Sequence, residues 1–199
     1  MGTCRQSSGQ KIVNTRAEFS VPIYCVEVDD IDRVAIKSEI ENLDAEFYSG
    51  EDYGLESNAL LTDISKNLLS SQSLEKLNKV FLKHLNNYLK DVSDVKRTIE
   101  INSSWLTKTK KGQNIEPHCH YDKDISCVYY IKTNTKDGDL ILYNINPAVV
   151  LTKFIDGGNL SIQPKEGRIV FFPSWILHST TRNKTDHERT SLAVDITVN

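Results

Sequence analysis

Hydrophobic and polar positions follow two rhythms along the chain, and the change falls near residue 95. Before it, apolar residues recur at helical spacing. In residues 73–92, Leu74, Leu77, Phe81, Leu85, Tyr88 and Leu89 form one stripe and predict a helix, with Ser73 to cap its start and Glu75 in its first turn. Residues 29–47 place Ile31, Val34, Ile36, Ile40, Leu43 and Phe47 at roughly the same spacing and predict a second helix. Ahead of it, residues 17–28 are rich in β-branched and aromatic side chains and predict a strand or two, broken near Pro22.

After residue 95 the segments shorten. "TIEINSSWLT", "ISCVYYIK", "DLILYNI", "AVVLTKF", "LSIQ", "RIVFF", "ILHSTT" and "TSLAVDITV" are separated by turn signals such as "KKGQN", "NTKDGD", "DGGN" and "PKEG". About eight strands at this spacing indicate an all-β sandwich or jelly roll rather than a βαβ fold. The two helices would pack on an outer sheet face. No linker rich in Pro, Gly or Ser divides the chain, so residues 1–199 are expected to form one domain. Within it, residues 1–95 would supply N-terminal strands and support helices, and 96–199 the jelly-roll core.

Composition narrows the function classes. A formal charge of -3 and 26% charged residues describe an ordinary soluble globule. There is no basic excess to neutralise a phosphate backbone, which argues against a nucleic-acid partner. The "KTKK" at 108–111 is expected to be a solvated strand end or turn. No run of eighteen apolar residues exists to span a membrane. The first ten residues lack the apolar segment of a secretory signal, and Gln6 breaks the myristoylation pattern. The four cysteines have no CxxC spacing, which suits free thiols in a reducing cytoplasm.

The candidate chemistry lies in the β half. "EPHCHYDKD" puts His118, His120 and Asp122 at every second position, and in a strand such positions share a face. Two imidazoles and a carboxylate make a poor core and a good metal site; Cys119 between them is expected on the opposite face. "RIVFFPSWILHSTTRN" places His178 after an apolar strand and a Pro173 turn. In a jelly roll it could meet the His118–Asp122 segment and complete a facial triad that leaves three metal positions open. "HERTSLAVDI" puts Arg189 and Ser191 on one face of the last strand, a guanidinium fork beside a hydroxyl suited to a carboxylate. An inward Arg on so apolar a strand is costly unless an anion meets it.

Several of these motifs, in order, resemble the Fe(II)/2-oxoglutarate-dependent oxygenases of double-stranded β-helix fold, and most closely the small oxygenases of tailed phages and marine bacteria. They are Trp105, Gly112, His118-Cys-His120, "SCVYY" at 126–130, "PKEG" at 164–167, "FPSWILH" at 172–178 and "RTS" at 189–191. The resemblance covers about residues 96–199 and departs at Cys127, where the family has Gly. It implies Fe(II), 2-oxoglutarate and O2, with 2-oxoglutarate decarboxylated to succinate and CO2 while a protein side chain or small metabolite is hydroxylated. It places the co-substrate's far carboxylate at Arg189 and Ser191, with Tyr130 as a hydrogen-bond partner and Trp105 lining the pocket. The closer family's HxH gives the ligand set His118, His120 and His178. The wider superfamily's HxD/E…H pattern gives His120, Asp122 and His178, so Asp122 stands as the alternative to His118. A phage-encoded member would work in the host cytoplasm.

Blander explanations exist for each residue alone. His118 and His120 could be solvated polar alternation, His178 or Tyr130 a core residue, Trp175 packing, His187 an exposed turn residue, and His84 a core-edge residue of its helix. Arg189 alone could be a surface ion pair, a type that contributes little. Their joint occurrence favours the oxygenase. Two alternatives are a zinc hydrolase or hydratase using HxH…H, in which Arg189 and Ser191 have no job, and a non-catalytic metal-binding jelly roll, which would bind no 2-oxoglutarate.

Overall fold

The computed structural model describes residues 21–28, 32–54, 57–144 and 158–199. Its order is β1 (Tyr24–Glu27), α1 (Arg33–Glu41), β2 (Tyr48–Ser49), β3 (Leu60–Leu61), α2 (Glu75–Val92), β4 (Ile99–Thr109), β5 (Ile125–Lys132), β6 (Leu140–Leu142), β7 (Leu160–Ile162), β8 (Arg168–Pro173), β9 (His178–Thr180) and β10 (Arg189–Val198). Seven strands form one sheet in the order β1-β8-β5-β10-β4-β3-β2, and three form a second in the order β7-β6-β9. Every pairing between strands is antiparallel. This is a mainly β, double-stranded β-helix fold, with the strand order crossing between sequence-distant segments as a jelly roll requires.

The large sheet is buried on both faces, and residue parity assigns each side chain to one of them. Ile125, Cys127, Tyr129 and Ile131 of β5, Ile169 and Phe171 of β8, and Leu192, Val194 and Ile196 of β10 pack into one cluster with Leu77, Phe81 and Leu85 of α2 and Ile36 of α1. The alternate residues Tyr130, Val170 and Phe172 turn inward to a second cluster with Leu140, Leu142 and Ile162 of the small sheet. Phe171 anchors the helix face. It is fully buried, stacked on Tyr88 at 5.6 Å and within 5.9 Å of the Tyr24 and Phe81 rings.

The helices begin later than hydrophobic spacing predicts. α1 starts after Asp32, whose side chain accepts from the Ala35 N–H, and closes at Asn42. Leu43 and Phe47 still pack on the core, but from a segment outside any helix or strand. α2 is not capped by Ser73. A 3-10 turn at Gln72–Leu74, capped by the Ser71 hydroxyl, precedes it, and Leu74 at its N-cap has no side-chain hydrogen bond. The strand expected at 148–154, the early part of the segment at 17–28, the helix start at 29–31 and Cys4 lie outside the described residues.

Candidate metal centre

The segment carrying "PHCH" is extended but joins neither sheet as a full strand. His118 forms a two-way backbone bridge with His178 at the start of β9, both hydrogen bonds at 2.9 Å. Two residues on, the His120 N–H donates to the Ser174 carbonyl at 2.9 Å. The segment therefore runs antiparallel to 174–178 as a short extra edge beside β9. Upstream, Ile115 bridges Ser57, so the N-terminal half helps to seat it.

That pairing brings the rings of His118, His120 and His178 together. Their centroids lie 4.2 Å (118–178), 5.2 Å (118–120) and 5.4 Å (120–178) apart, and a ligand nitrogen from each falls within 4.8 Å of the others. Each Nδ1 is engaged elsewhere. His118 Nδ1 is 2.8 Å from the Glu116 carbonyl, His178 Nδ1 2.8 Å from the Ile176 carbonyl and His120 Nδ1 2.6 Å from Asp195 Oδ2. Carbonyls and carboxylates accept, so each Nδ1 donates and each Nε2 lone pair is left for a metal. Burial holds the His178 pKa down at about 3, with His118 adding to the effect, and burial likewise lowers His118. Neutral imidazoles are the form that ligates a cation. The donor set thus fits a divalent transition metal.

Asp122 does not join this group. Period-two alternation ends at His120, because residues 121–122 form a turn. The Asp122 side chain is 80% exposed and pairs with Lys123 at 2.7 Å. Tyr121 beside it is also exposed, as is Trp175, which is expected from sequence to be a packing residue.

The histidines open onto a cavity of about 540 Å³ between the two sheets, bordered also by Trp105, Tyr130, Arg189 and Ser191. Cys119, expected on the opposite face, borders it too. On β10, Arg189, Ser191, Ala193 and Asp195 all line this cavity, while Leu192 belongs to the helix-side core and Val194 touches both. Arg189 is only 2% exposed. Its Nη1 donates to the Gly138 carbonyl at 2.6 Å, and its Nε has no hydrogen-bond partner among the described residues. Tyr130, opposite Ser191 in the β5–β10 register, likewise has a buried hydroxyl without a partner. Burial pushes the Tyr130 pKa up to about 12 against the lowering effect of Arg189, and burial lowers that of Arg189. Trp105 lies nearly parallel to His120, ring centroids 6.2 Å apart at 14°.

Several contributors are not evident from sequence. Asp195 backs His120. The turn at 133–138 holds Arg189 through Gly138, and buried Asp137 in that turn accepts from Thr133, Asn134 and His187. His187, expected to be exposed, is thus tied in at 2.9 Å. Leu61 and Ile64, from the half expected only to support the jelly roll, form part of the cavity wall.

The fold and its histidine cluster define a jelly-roll protein suited to a mononuclear metal. Residues 103–195 match the sequence model of a family described as "Putative 2OG-Fe(II) oxygenase". That match spans just under half of the chain and, with the histidine cluster, supports an enzyme that uses Fe(II) and the co-substrate 2-oxoglutarate. Solved structures share the fold at low identity. A Burkholderia pseudomallei oxidoreductase of the 2OG-Fe(II) oxygenase family superposes with TM-score 0.64 at 12% identity, covering 88% of this chain and 84% of that one. A Pseudomonas putida prolyl-4-hydroxylase gives 0.63 at 12%, covering 89% and 93%. HygX from Streptomyces hygroscopicus, with nickel, 2-oxoglutarate and hygromycin B bound, gives 0.61 at 12%, covering 89% and 83%. No curated protein matches the chain in sequence.

Proposed function

We propose that residues 1–199 act as one domain and as a cytoplasmic hydroxylase, with Fe(II) on the Nε2 atoms of His118, His120 and His178. The far carboxylate of 2-oxoglutarate would lie at Arg189, Ser191 and Tyr130. The observation that carries this reading is that a buried guanidinium with an unused Nε shares one cavity with three inward histidines. A carboxylate at Arg189 would meet that donor and offset the cost of the buried charge. The zinc-hydrolase alternative gives Arg189 nothing to do. With iron and 2-oxoglutarate bound, the chemistry supplied is oxidative: O2 is consumed, 2-oxoglutarate leaves as succinate and CO2, and a substrate C–H becomes C–OH.

The protein's own residues orient and exclude water. The Nδ1 hydrogen bonds fix three imidazoles in the tautomer that faces the ion. Trp105 restrains His120 from one side. Leu61, Ile64 and Ile115 give the cavity an apolar wall, and its charged side chains are all accounted for: Arg189 by the co-substrate, Asp195 by His120, Asp122 by Lys123. The group that enters is therefore uncharged, carried either by a protein side chain or by a small metabolite. Both kinds occur on this fold: a Trichoplax adhaerens prolyl hydroxylase is bound to a hypoxia-inducible-factor peptide, and HygX to hygromycin B. No helix among the described residues is long and apolar enough to cross a membrane. Cys25, Cys119 and Cys127 are free thiols, as a reducing compartment would keep them.

The test is Fe(II)-dependent conversion of 2-oxoglutarate to succinate by purified protein. Turnover present in wild type and abolished in His178→Ala supports the assignment. Metal binding without any 2-oxoglutarate consumption, across a panel of peptide and small-molecule substrates, contradicts it.

A further inference from the structure

His120 differs from the other two histidines in what holds its Nδ1. Glu116 and Ile176 offer neutral backbone carbonyls, whereas Asp195 offers a carboxylate. Asp195 is 6% exposed, on the cavity face of β10. Its Oδ1 accepts from the Ser126 hydroxyl at 3.0 Å, which lies 2.9 Å from the Ser174 hydroxyl. Among the described residues, His120 is its only ion-pair partner. A carboxylate so enclosed is costly unless positive charge stands near. Three neutral imidazoles, for their part, bring no negative charge to a divalent ion, and the nearby carboxylate in sequence, Asp122, faces solvent.

We propose that Asp195 is the positioning residue that supplies the metal centre's negative charge from behind His120. It holds His120 with Nδ1–H donating and Nε2 turned to the ion, and through that hydrogen bond it makes Nε2 a stronger donor. The charge that a carboxylate ligand brings in a two-histidine, one-carboxylate site is here one imidazole removed. Ser126 and Ser174 fix the carboxylate so that one oxygen alone faces the ring. The inference rests on the assignment of Fe(II) to the three histidines.

The experiment compares wild type, Asp195→Asn and Asp195→Ala by anaerobic Fe(II) titration, followed by the visible spectrum with 2-oxoglutarate added. Asn keeps an acceptor and removes the charge; Ala removes both. Fe(II) affinity is expected to fall about 10- to 100-fold in Asp195→Asn and further in Asp195→Ala. The iron-to-2-oxoglutarate absorption band of the loaded Asn variant is expected at higher energy, because a less electron-rich iron gives up charge less readily. A purely structural residue would lower occupancy or thermal stability and leave the band where it is. Wild-type affinity and band position in Asp195→Asn would overturn the role of Asp195 alone, while a wild type with no band contradicts the iron assignment as well. A readout without variants comes from 15N NMR of the metal-free protein: His120 as the Nδ1–H tautomer is expected, and an Nε2–H tautomer would overturn the proposal.

Discussion

A buried guanidinium must find acceptors for its donors, and Arg189 finds them through Nη1, at the carbonyls of Gly138 and Asp137, while its Nε has none among the described residues. Replacing Arg189 by Ala is expected to raise the 2-oxoglutarate concentration needed for half-maximal turnover about 10- to 100-fold, the scale of a hydrogen bond to a charged group, with Fe(II) affinity little changed. A normal 2-oxoglutarate requirement would contradict the clamp. Gly138 has φ +109°, and an added Cβ would lie 2.4 Å from the Thr181 carbonyl and 3.1 Å from Arg189 Nη1. Gly138→Ala should therefore weaken 2-oxoglutarate binding as well as stability, by displacing the turn that aims Arg189. Equilibrium binding of the co-substrate beside a thermal melt checks both. At the metal, His118→Ala should lose Fe(II) binding and Asp122→Ala should keep it; the reverse would restore Asp122 as ligand. His118 and His120, like Arg189 and Ser191, are visible in sequence because spacing of two survives in short extended segments, whereas His178 is visible only through the apolar strand and Pro173 turn before it. Asp122 misleads because a turn ends that alternation at His120. Asp195 shares parity with Arg189 and Ser191, a usable signal, but its partner His120 lies 75 residues away and only the fold joins them.

Among the elements, β10 serves both core and cavity. Leu192, Val194 and Ile196 pack on the helix side while Arg189, Ser191 and Asp195 line the cavity, so one strand ties stability to the site. Phe171 of neighbouring β8 is the corresponding anchor on the helix side. Phe171→Ala should destabilise the protein by about 3–5 kcal/mol through lost burial and the cavity left among Tyr24, Phe81 and Tyr88. Chemical denaturation measures this, and a loss below about 1 kcal/mol would mean the helices are not packed on the sheet as described. The strands from β4 to β10 within the described residues follow their apolar runs closely, since each is bounded by turn residues. Helix starts are less legible. Capping depends on which hydroxyl or carboxylate reaches a free N–H, and Ser71 rather than Ser73 does so ahead of α2.

At the scale of the whole molecule, the β-rich pattern after residue 95 identifies the jelly roll, while the N-terminal half's share of the cavity wall depends on contacts between distant segments. Burial has a further global consequence. Tyr88, Tyr129 and Tyr130 are each pushed up to about 12 by desolvation. Their folded-state pKa values are raised above the unfolded value near 10, so their contribution is fully present below pH 10 and lost as the pH rises toward 12. The thermal midpoint should fall steeply over that window, and Tyr129→Phe should flatten the fall. An unchanged slope in Tyr129→Phe would contradict the contribution of that phenol.

The central claim, that three histidines and Arg189 hold Fe(II) and 2-oxoglutarate together, is tested most directly by anaerobic Fe(II) titration with and without 2-oxoglutarate. A visible charge-transfer band that requires both components, and disappears in His178→Ala, is the predicted result. Tight metal binding with no such band would contradict the shared site.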